Sequence, residues 1–307
     1  MHQAAAQAAA RQSHVPGTLY VVATPIGNLA DVSLRAVYVL GRVDVVACED
    51  TRVGAQLLRH LGLHKPLLAL HAHNEQQASV PIIDRLKTGE SVAYISDAGT
   101  PAISDPGAVL VAAAAAAGHK VVPVPGASSA LAALSVAGVL GHGADEARGG
   151  GFCFVGFLPA KGGPRRSALA AVLADPRTQV LFEAPHRIQA LADELAQGAA
   201  QRVLTLCREL TKQFETVVTQ PAAALPAWLA ADSQRLRGEF VLVLHPVPVS
   251  TPADDELPAD ALRTLQLLLR ELPLKQAVAL AAELTQAPRN LLYQQALQWR
   301  DTDLPAP

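Results

Sequence analysis

Aromatic residues are scarce in this chain, at 4% of 307, and cysteine occurs three times and methionine once. With so few large rings, the core has to be built from Ala, Leu and Val, a composition that suits closely packed helices on sheets. Cys48, Cys153 and Cys207 stand far apart, each in an apolar run. That spacing fits neither a disulfide framework nor a cysteine zinc site, so they read as buried small hydrophobes in a reducing compartment. The longest apolar run, Ala108 to Gly118, is too short to span a bilayer. The first sixteen residues lack signal-peptide architecture and are expected to be a disordered tail. The expectation is a soluble, cytoplasmic protein.

Charge is scarce too. Only 17% of residues are Asp, Glu, Lys or Arg, and the net charge of −2 gives no global field toward nucleic acid or membrane. The distribution is uneven: −3 over residues 17–147, +3 over 148–247 and −3 over 248–307. An anionic substrate is therefore expected to touch the middle segment, through Lys161, Arg165, Arg166, Arg187, Arg208 and Lys212.

From residue 18 onward, short apolar strands alternate with helices of about 10–15 residues, the pattern of parallel β-α units. Strands are expected at 18–23, 43–48, 67–71, 91–96 and 120–124. Asp31 or Ser33 should cap the first helix, Asp105 with Pro106 should open another that Gly118 ends, and Ser128 or Ser129 a further one. Gly138–Gly151 reads as a linker or loop. A second run of strands follows at 152–157, 179–183, 202–207, 215–219 and 239–244, with helices near 164–174, 185–197 and 221–231. The short step from Cys207 to Glu215 predicts an antiparallel hairpin, hence a mixed second sheet. A Pro-rich, acidic stretch from Val247 to Glu256 reads as a linker. Beyond it, amphipathic helices over 258–272 and 274–284 and a third to about Trp299 resemble helix-turn-helix geometry. A packing or dimerising appendage is the competing reading, because Arg289 and Arg300 alone are too few for a recognition helix. The expected domains are thus 17–147, 148–247 and, past a 248–258 linker, a helical 259–299.

Phosphate loops are absent: no G-x-x-x-x-G-K-[ST] and no G-x-G-x-x-G occurs. Neither does a Gly-x-Ser-x-Gly nucleophile elbow, which disfavours covalent hydrolysis. What is present are three small-residue loops at the C-terminal ends of expected parallel strands, where α/β sheets bind ligands. They are Thr24-Pro25-Ile26-Gly27-Asn28, Ser96-Asp97-Ala98-Gly99-Thr100-Pro101 and Pro125-Gly126-Ala127-Ser128-Ser129. A ligand held by carbonyls, hydroxyls and an Asp is cationic or zwitterionic rather than a polyphosphate. Glu49-Asp50-Thr51-Arg52 is either a substrate anchor or an N-cap with a local ion pair. His71-Ala72-His73 lacks a third ligand at useful spacing, so a metal is not expected. The basic loop from Phe157 to Arg166 opens a helix and suits phosphodiester oxygens.

In this order and spacing, TPIGNLADVSLRA, CEDTR, HAHNEQQ, SDAGTPAISDPG, VPGASSA, GFLPAKGGPRR, EAPHR and RELTKQFE resemble the ribosomal small subunit methyltransferase I family. These are 16S rRNA (cytidine 2′-O)-methyltransferases within the tetrapyrrole-methylase superfamily. The likeness runs from about Gly17 to Trp299, including the C-terminal PADALRTL and ELPLKQAVALAAEL. It implies a two-domain α/β tetrapyrrole-methylase-like fold with a small C-terminal helical domain, a homodimer, and S-adenosylmethionine in the cleft between domains. On that basis Pro25, Asp97, Ala98, Gly99, Ile103, Ser104, Ser128, Ser129, Phe182, Glu183 and Leu210 are expected around the cofactor. Arg52, Lys161, Arg166, Arg187 and Lys212 are expected to meet RNA phosphates of the small ribosomal subunit. A ribose hydroxyl is a poor nucleophile, so a proton acceptor would help, and Asp50 and Glu183 lead the candidates because both end strands facing the cleft. The alternative is the same fold acting on a tetrapyrrole, against which stand the extra helical domain and the basic loops.

Overall fold

A computed structural model describes residues 1–9, 11, 13–139, 151–247 and 257–301, without the side chains of residues 259, 300 and 301. Most of the two expected linkers, and the Arg300 side chain, lie outside the described residues. The chain divides into two compact units, Met1–Val247 and Pro248–Pro307.

The first unit opens on helix α1 (His2–Ala9), where disorder was expected. Ala5 and Ala9 are buried and His2 Nε2 meets the Leu61 carbonyl at 2.7 Å, so an Ala-rich face finds a partner in the domain. Strands β1 (Leu19–Val22), β2 (Val45–Cys48), β3 (Leu67–Ala69), β4 (Val92–Ile95) and β5 (Val121–Val124) form a parallel sheet in the order β3-β2-β4-β1-β5. Alternate residues serve opposite faces. Tyr20, Val22, Val46, Cys48, Ala93 and Ile95 pack under helices α2 (Leu34–Arg42) and α3 (Thr51–His60), while Leu19, Val45, Ala47, Val92 and Tyr94 pack under α4 (Glu75–Lys87) and α5 (Ala108–Ala116). Both faces being covered explains why the strands are unbroken apolar runs.

Caps fix where the helices start. Ser33 caps α2, its hydroxyl accepting from the Ala36 N–H at 3.0 Å, and Asn28 caps a short 3-10 turn before it. Asp105 and Pro106 do not open α5. Its cap is Gly107, at φ 127° where a side chain would strike the Tyr94 ring, and the free N–H groups of Gly107 and Val109 go to the Glu75 carboxylate at 2.8 and 2.7 Å. A glutamate 32 residues upstream thus does the work expected of Asp105.

Helix α6 (Ser129–Val136), the last of the first half, lies on the second sheet. That sheet comprises β6 (Phe152–Phe157), β7 (Thr178–Glu183), β8 (Val203–Arg208), β9 (Thr216–Pro221) and β10 (Phe240–Leu244), in the order β6-β7-β10-β8-β9. It is mixed: β6 pairs parallel with β7, and the remaining pairs, the β8-β9 hairpin included, are antiparallel. One face packs under helices α7 (Gly162–Ala174), α8 (Ile188–Gly198) and α9 (Leu225–Ala230). The other presents Val180, Cys207, Val241 and Val243 to Ala130, Ala133 and Ala137, with Ile26 and Leu210 sealing the same seam. Small alanines let the helix lie close, so that α6 and Ile26 of the loop after β1 share one core with the second sheet. The expected single helix near 221–231 is a 3-10 turn, Ala222–Ala224, followed by α9.

The second unit contains α10 (Ala259–Glu271), α11 (Leu274–Thr285) and α12 (Arg289–Asp301), around Leu265, Val278, Ala281, Leu292 and Ala296. Pro258 and Pro273 precede α10 and α11, and Gln286, left-handed at φ 57°, ends α11.

Candidate active-site cleft

β1 lies between β4 and β5, so the loops after these three strands adjoin. They are also bonded together. Thr24 N–H donates to the Gly99 carbonyl at 2.9 Å and Gly99 N–H returns a bond to Thr24 at 3.1 Å. The buried Thr24 hydroxyl donates to the Ser96 carbonyl, and Thr100 Oγ1 donates to the Ala127 carbonyl at 3.0 Å. From the other side, Asp50 N–H donates to Asp97 Oδ1 at 3.0 Å, which ties the end of β2 to the loop after β4. Four loops are held as one platform.

The platform floors a cavity of about 370 Å³. Its wall includes Thr24, Pro25, Ile26, Gly27 and Leu29 of the first loop, Asp97 and Ala98 of the second, one face of α3, and Lys212 and Glu239 from the second sheet. Of the residues expected around a ligand, the cavity gathers Pro25, Asp97, Ala98 and Lys212. Gly99 sits behind them in its pairing with Thr24. Ile103, Ser104, Ser128, Ser129, Phe182, Glu183 and Leu210 do not line it. Ile103 is exposed, Leu210 is buried in the seam beside Ile26, and Phe182 makes edge contacts with Phe154 and Phe157.

Electrostatics at this edge are acidic. Burial, then the nearby Asp105, Asp97 and Asp50, push the Glu49 carboxyl upward, and burial likewise raises Asp105. Asp50 goes the other way: hydrogen bonds from the Arg52 side chain and backbone hold it at about 2. Its two oxygens are taken by Arg52 at 2.6–3.1 Å, and a carboxylate so tied is a weak proton acceptor. The sequence pattern's other option, an N-cap with a local ion pair, describes what Asp50 does here.

Glu183 is wholly buried. It pairs with Arg165 at 3.3 Å and with Arg187, while Glu194 holds the far side of Arg165 at 2.8 Å. With Ala184 N–H donating to its Oε1 as well, Glu183 has the surroundings of a structural anchor. Arg187 is consumed by the same network and turned from solvent, whereas Lys161 and Arg166 at the start of α7 and Arg52 on α3 are exposed.

Lys212 is built into the wall. Burial alone would lower its ammonium, but hydrogen bonds to Glu209 at 2.9 Å and Glu239 at 3.0 Å outweigh that and raise it. Its stem covers Gly27, where an added Cβ would lie 2.5 Å from Lys212 Cγ. The turn that carries it is strained: Glu209 and Thr211 adopt φ 53° and 66°, costly for a β-branched Thr, and Thr211 Oγ1 is buried without a hydrogen-bond partner among the described residues. Ala102, at φ 63°, strains the loop after β4. Such strain concentrates at ligand sites. Glu239 and the α3 residues Gln56 and His60 were missed in the sequence. For α3 the signal was there, since Val53, Gln56, Leu57 and His60 repeat at helical spacing.

Comparison with known proteins gives the chain its family. Residues 18–226 match the model of Tetrapyrrole (Corrin/Porphyrin) Methylases. A protein of Pseudomonas aeruginosa named ribosomal RNA small subunit methyltransferase I is 52% identical over 92% of this chain and 97% of its own length. The chain belongs to the ribosomal RNA small subunit methyltransferase I family. A member from Escherichia coli O157:H7 is 48% identical over 92% of this chain and 95% of its own. Residues 255–300 match the model described as the RsmI C-terminal HTH domain, so the family's helical segment is present as well. In fold, the chain is similar to a diphthine synthase (TM-score 0.56, 17% identity, covering 74% of this chain and 90% of that one). It is likewise similar to a uroporphyrin-III C-methyltransferase of Thermus thermophilus complexed with S-adenyl homocysteine (TM-score 0.53, 19% identity, 74% and 97%). Among the described residues, no helix is long and apolar enough to cross a membrane, and no group of three or more His, Cys, Asp or Glu side chains is placed to hold a metal.

Proposed function

We propose that this chain is an S-adenosylmethionine-dependent methyltransferase that modifies the ribose 2′-hydroxyl of a cytidine in 16S rRNA, working in the cytoplasm as a homodimer. The observation that carries this reading is the bonded platform of loops at the parallel sheet's C-terminal edge, with Asp97 and Ala98 on a cavity wall. The donor set fits the cofactor: the Asp97 carboxylate on the cavity wall, with Glu49, Asp50 and Asp105 close to it and backbone carbonyls and hydroxyls around, favours a cation over a phosphate. Asp97, Ala98 and Gly99, with Ser128 and Ser129 behind them, are the residues we assign to hold it.

When bound, the cofactor supplies a methyl group made electrophilic by its sulfonium. The protein's own contribution is alignment, which can supply most of the rate in a displacement of this kind. The shared core of α6 and the second sheet fixes the two walls of the cleft relative to each other, and Pro25 and Ile26 exclude water from its floor. Lys161, Arg166 and Arg52, exposed and at or near helix starts, attract RNA phosphates. Glu183 and Arg187 serve indirectly by anchoring the loop before α7 through Arg165 and the Leu158 carbonyl.

The test incubates the chain with tritiated cofactor and small ribosomal subunits from a strain lacking the modification. Label is expected in the RNA and is expected to vanish with Asp97→Ala. Absence of transfer to the subunit, together with turnover of uroporphyrinogen, would overturn the reading.

A further inference from the structure

One wall of the cleft is not used by the cofactor assignment. Helix α3 lays Val53, Gln56, Leu57 and His60 along it, positions i, i+3, i+4 and i+7 of a single helical face. At 1.5 Å per residue this stripe is about 10 Å long. It begins one turn beyond Asp50, whose N–H is bonded to Asp97, so it leads directly away from the loop after β4. Leu29 lines the cavity as well, and Lys212 and Glu239 bring the second sheet to it.

The charge of that third side decides what fits. The Lys212 ammonium is already bonded to Glu209 and Glu239, two carboxylates against one cation, and the Glu239 side chain is 75% exposed. Such a surface repels phosphate and offers surplus acceptors. Leu29 and Val53, 42% and 37% exposed, are apolar surface that a flat ring would cover. Gln56 and His60 present hydrogen-bonding groups at the stripe's middle and far end. These features together fit a neutral heteroaromatic ring bearing an amino group.

We propose that this groove takes the base of the ribonucleoside to be methylated, turned out of its strand so that gripping the base fixes the position of its ribose. Gln56 and His60 read the edge of the base, and Leu29 and Val53 pack its faces. The surplus acceptors at Glu239 favour a base with an exocyclic amine, hence cytosine over uracil. This inference rests on the RNA reading above.

Gln56→Ala and His60→Ala, both at exposed positions, are made in the full chain and checked for native melting. Cofactor affinity is measured by calorimetry without RNA, and kcat/KM by methyl transfer to small subunits, with the target cytidine intact or replaced by uridine. Expected are a cofactor Kd within about twofold of wild type and a kcat/KM reduced about tenfold for each variant, the scale of one base-edge hydrogen bond. The wild type's preference for cytidine over uridine should shrink in both variants. Wild-type kcat/KM and base preference in both variants would overturn the inference while leaving the RNA reading intact. A cofactor Kd weakened in step with kcat/KM would give the groove to the cofactor and overturn it as well. A wild type that labels no subunit would overturn both.

Discussion

The backbone N–H of Asp50 donates to the Asp97 carboxylate at 3.0 Å, joining two strand ends across the cleft edge. Asp97 therefore has two separable properties, an acceptor that positions α3 and a negative charge that faces the cavity. Asp97→Asn keeps an oxygen for the Asp50 amide and removes the charge. Its cofactor Kd should weaken about tenfold with melting unchanged, whereas Asp97→Ala should also lose about 1 kcal/mol of stability. Calorimetry with thermal melts separates the two effects, and a wild-type Kd in Asp97→Asn would show the charge to be idle.

Gly27 and Lys212 form a steric pair across the two halves of the first unit. Because the Lys212 stem is pinned by two carboxylates, Gly27→Ala cannot be relieved by a simple swing of the side chain. The variant should lose about 1–3 kcal/mol as an overpacked site does. Combining it with Lys212→Ala should recover most of that loss. Additive losses in the double-mutant cycle would refute the contact.

Removing Glu183 should hurt the fold more than any exposed change. Glu183→Ala leaves the buried Arg165 and the half-buried Arg187 short of a carboxylate, a change worth about 3 kcal/mol and a Tm lowered by roughly 6–12 °C. Cofactor affinity of the folded fraction should stay near wild type. A variant that melts normally but no longer binds cofactor would return Glu183 to the cofactor site.

The contrast between Arg165 and Arg166 shows where sequence reading reaches its limit. The two are adjacent in one basic segment and fall in the first turn and a half of α7, and only packing tells that the first is buried against Glu183 and Glu194 and the second exposed. Local periodicity located every described strand, the hairpin and the mixed second sheet, because burial of the central strands on two faces and of the edge strand β9 on one writes itself into apolar runs and alternation. The small-residue loops were legible for the same reason. What escaped depends on distant partners: Glu75 capping α5, Arg52 consuming Asp50, and Lys212 folded over Gly27. The α1 helix escaped because an alanine-rich tail shows little periodicity until α2 gives it a surface.

Asp105 predicts a pH effect. Burial raises its carboxyl above the ordinary value, about 3.9 for an unfolded chain. The folded state therefore favours the protonated form, and Asp105 costs stability progressively as pH rises through 3.9 toward its folded value, levelling above it. Asp105→Asn removes that decline, so at pH 7 it should melt higher than wild type, with little difference below about pH 4. Equal shifts at both pH values would contradict the assignment.

The central claim is chemical: a methyl group placed on a cytidine ribose oxygen. The most direct measurement digests small-subunit RNA to nucleosides after a single turnover with isotopically labelled cofactor, and identifies the labelled product by mass spectrometry. The account predicts one labelled species, 2′-O-methylcytidine, at one label per subunit. Label on a base, on another nucleoside, or in no nucleoside at all would contradict it.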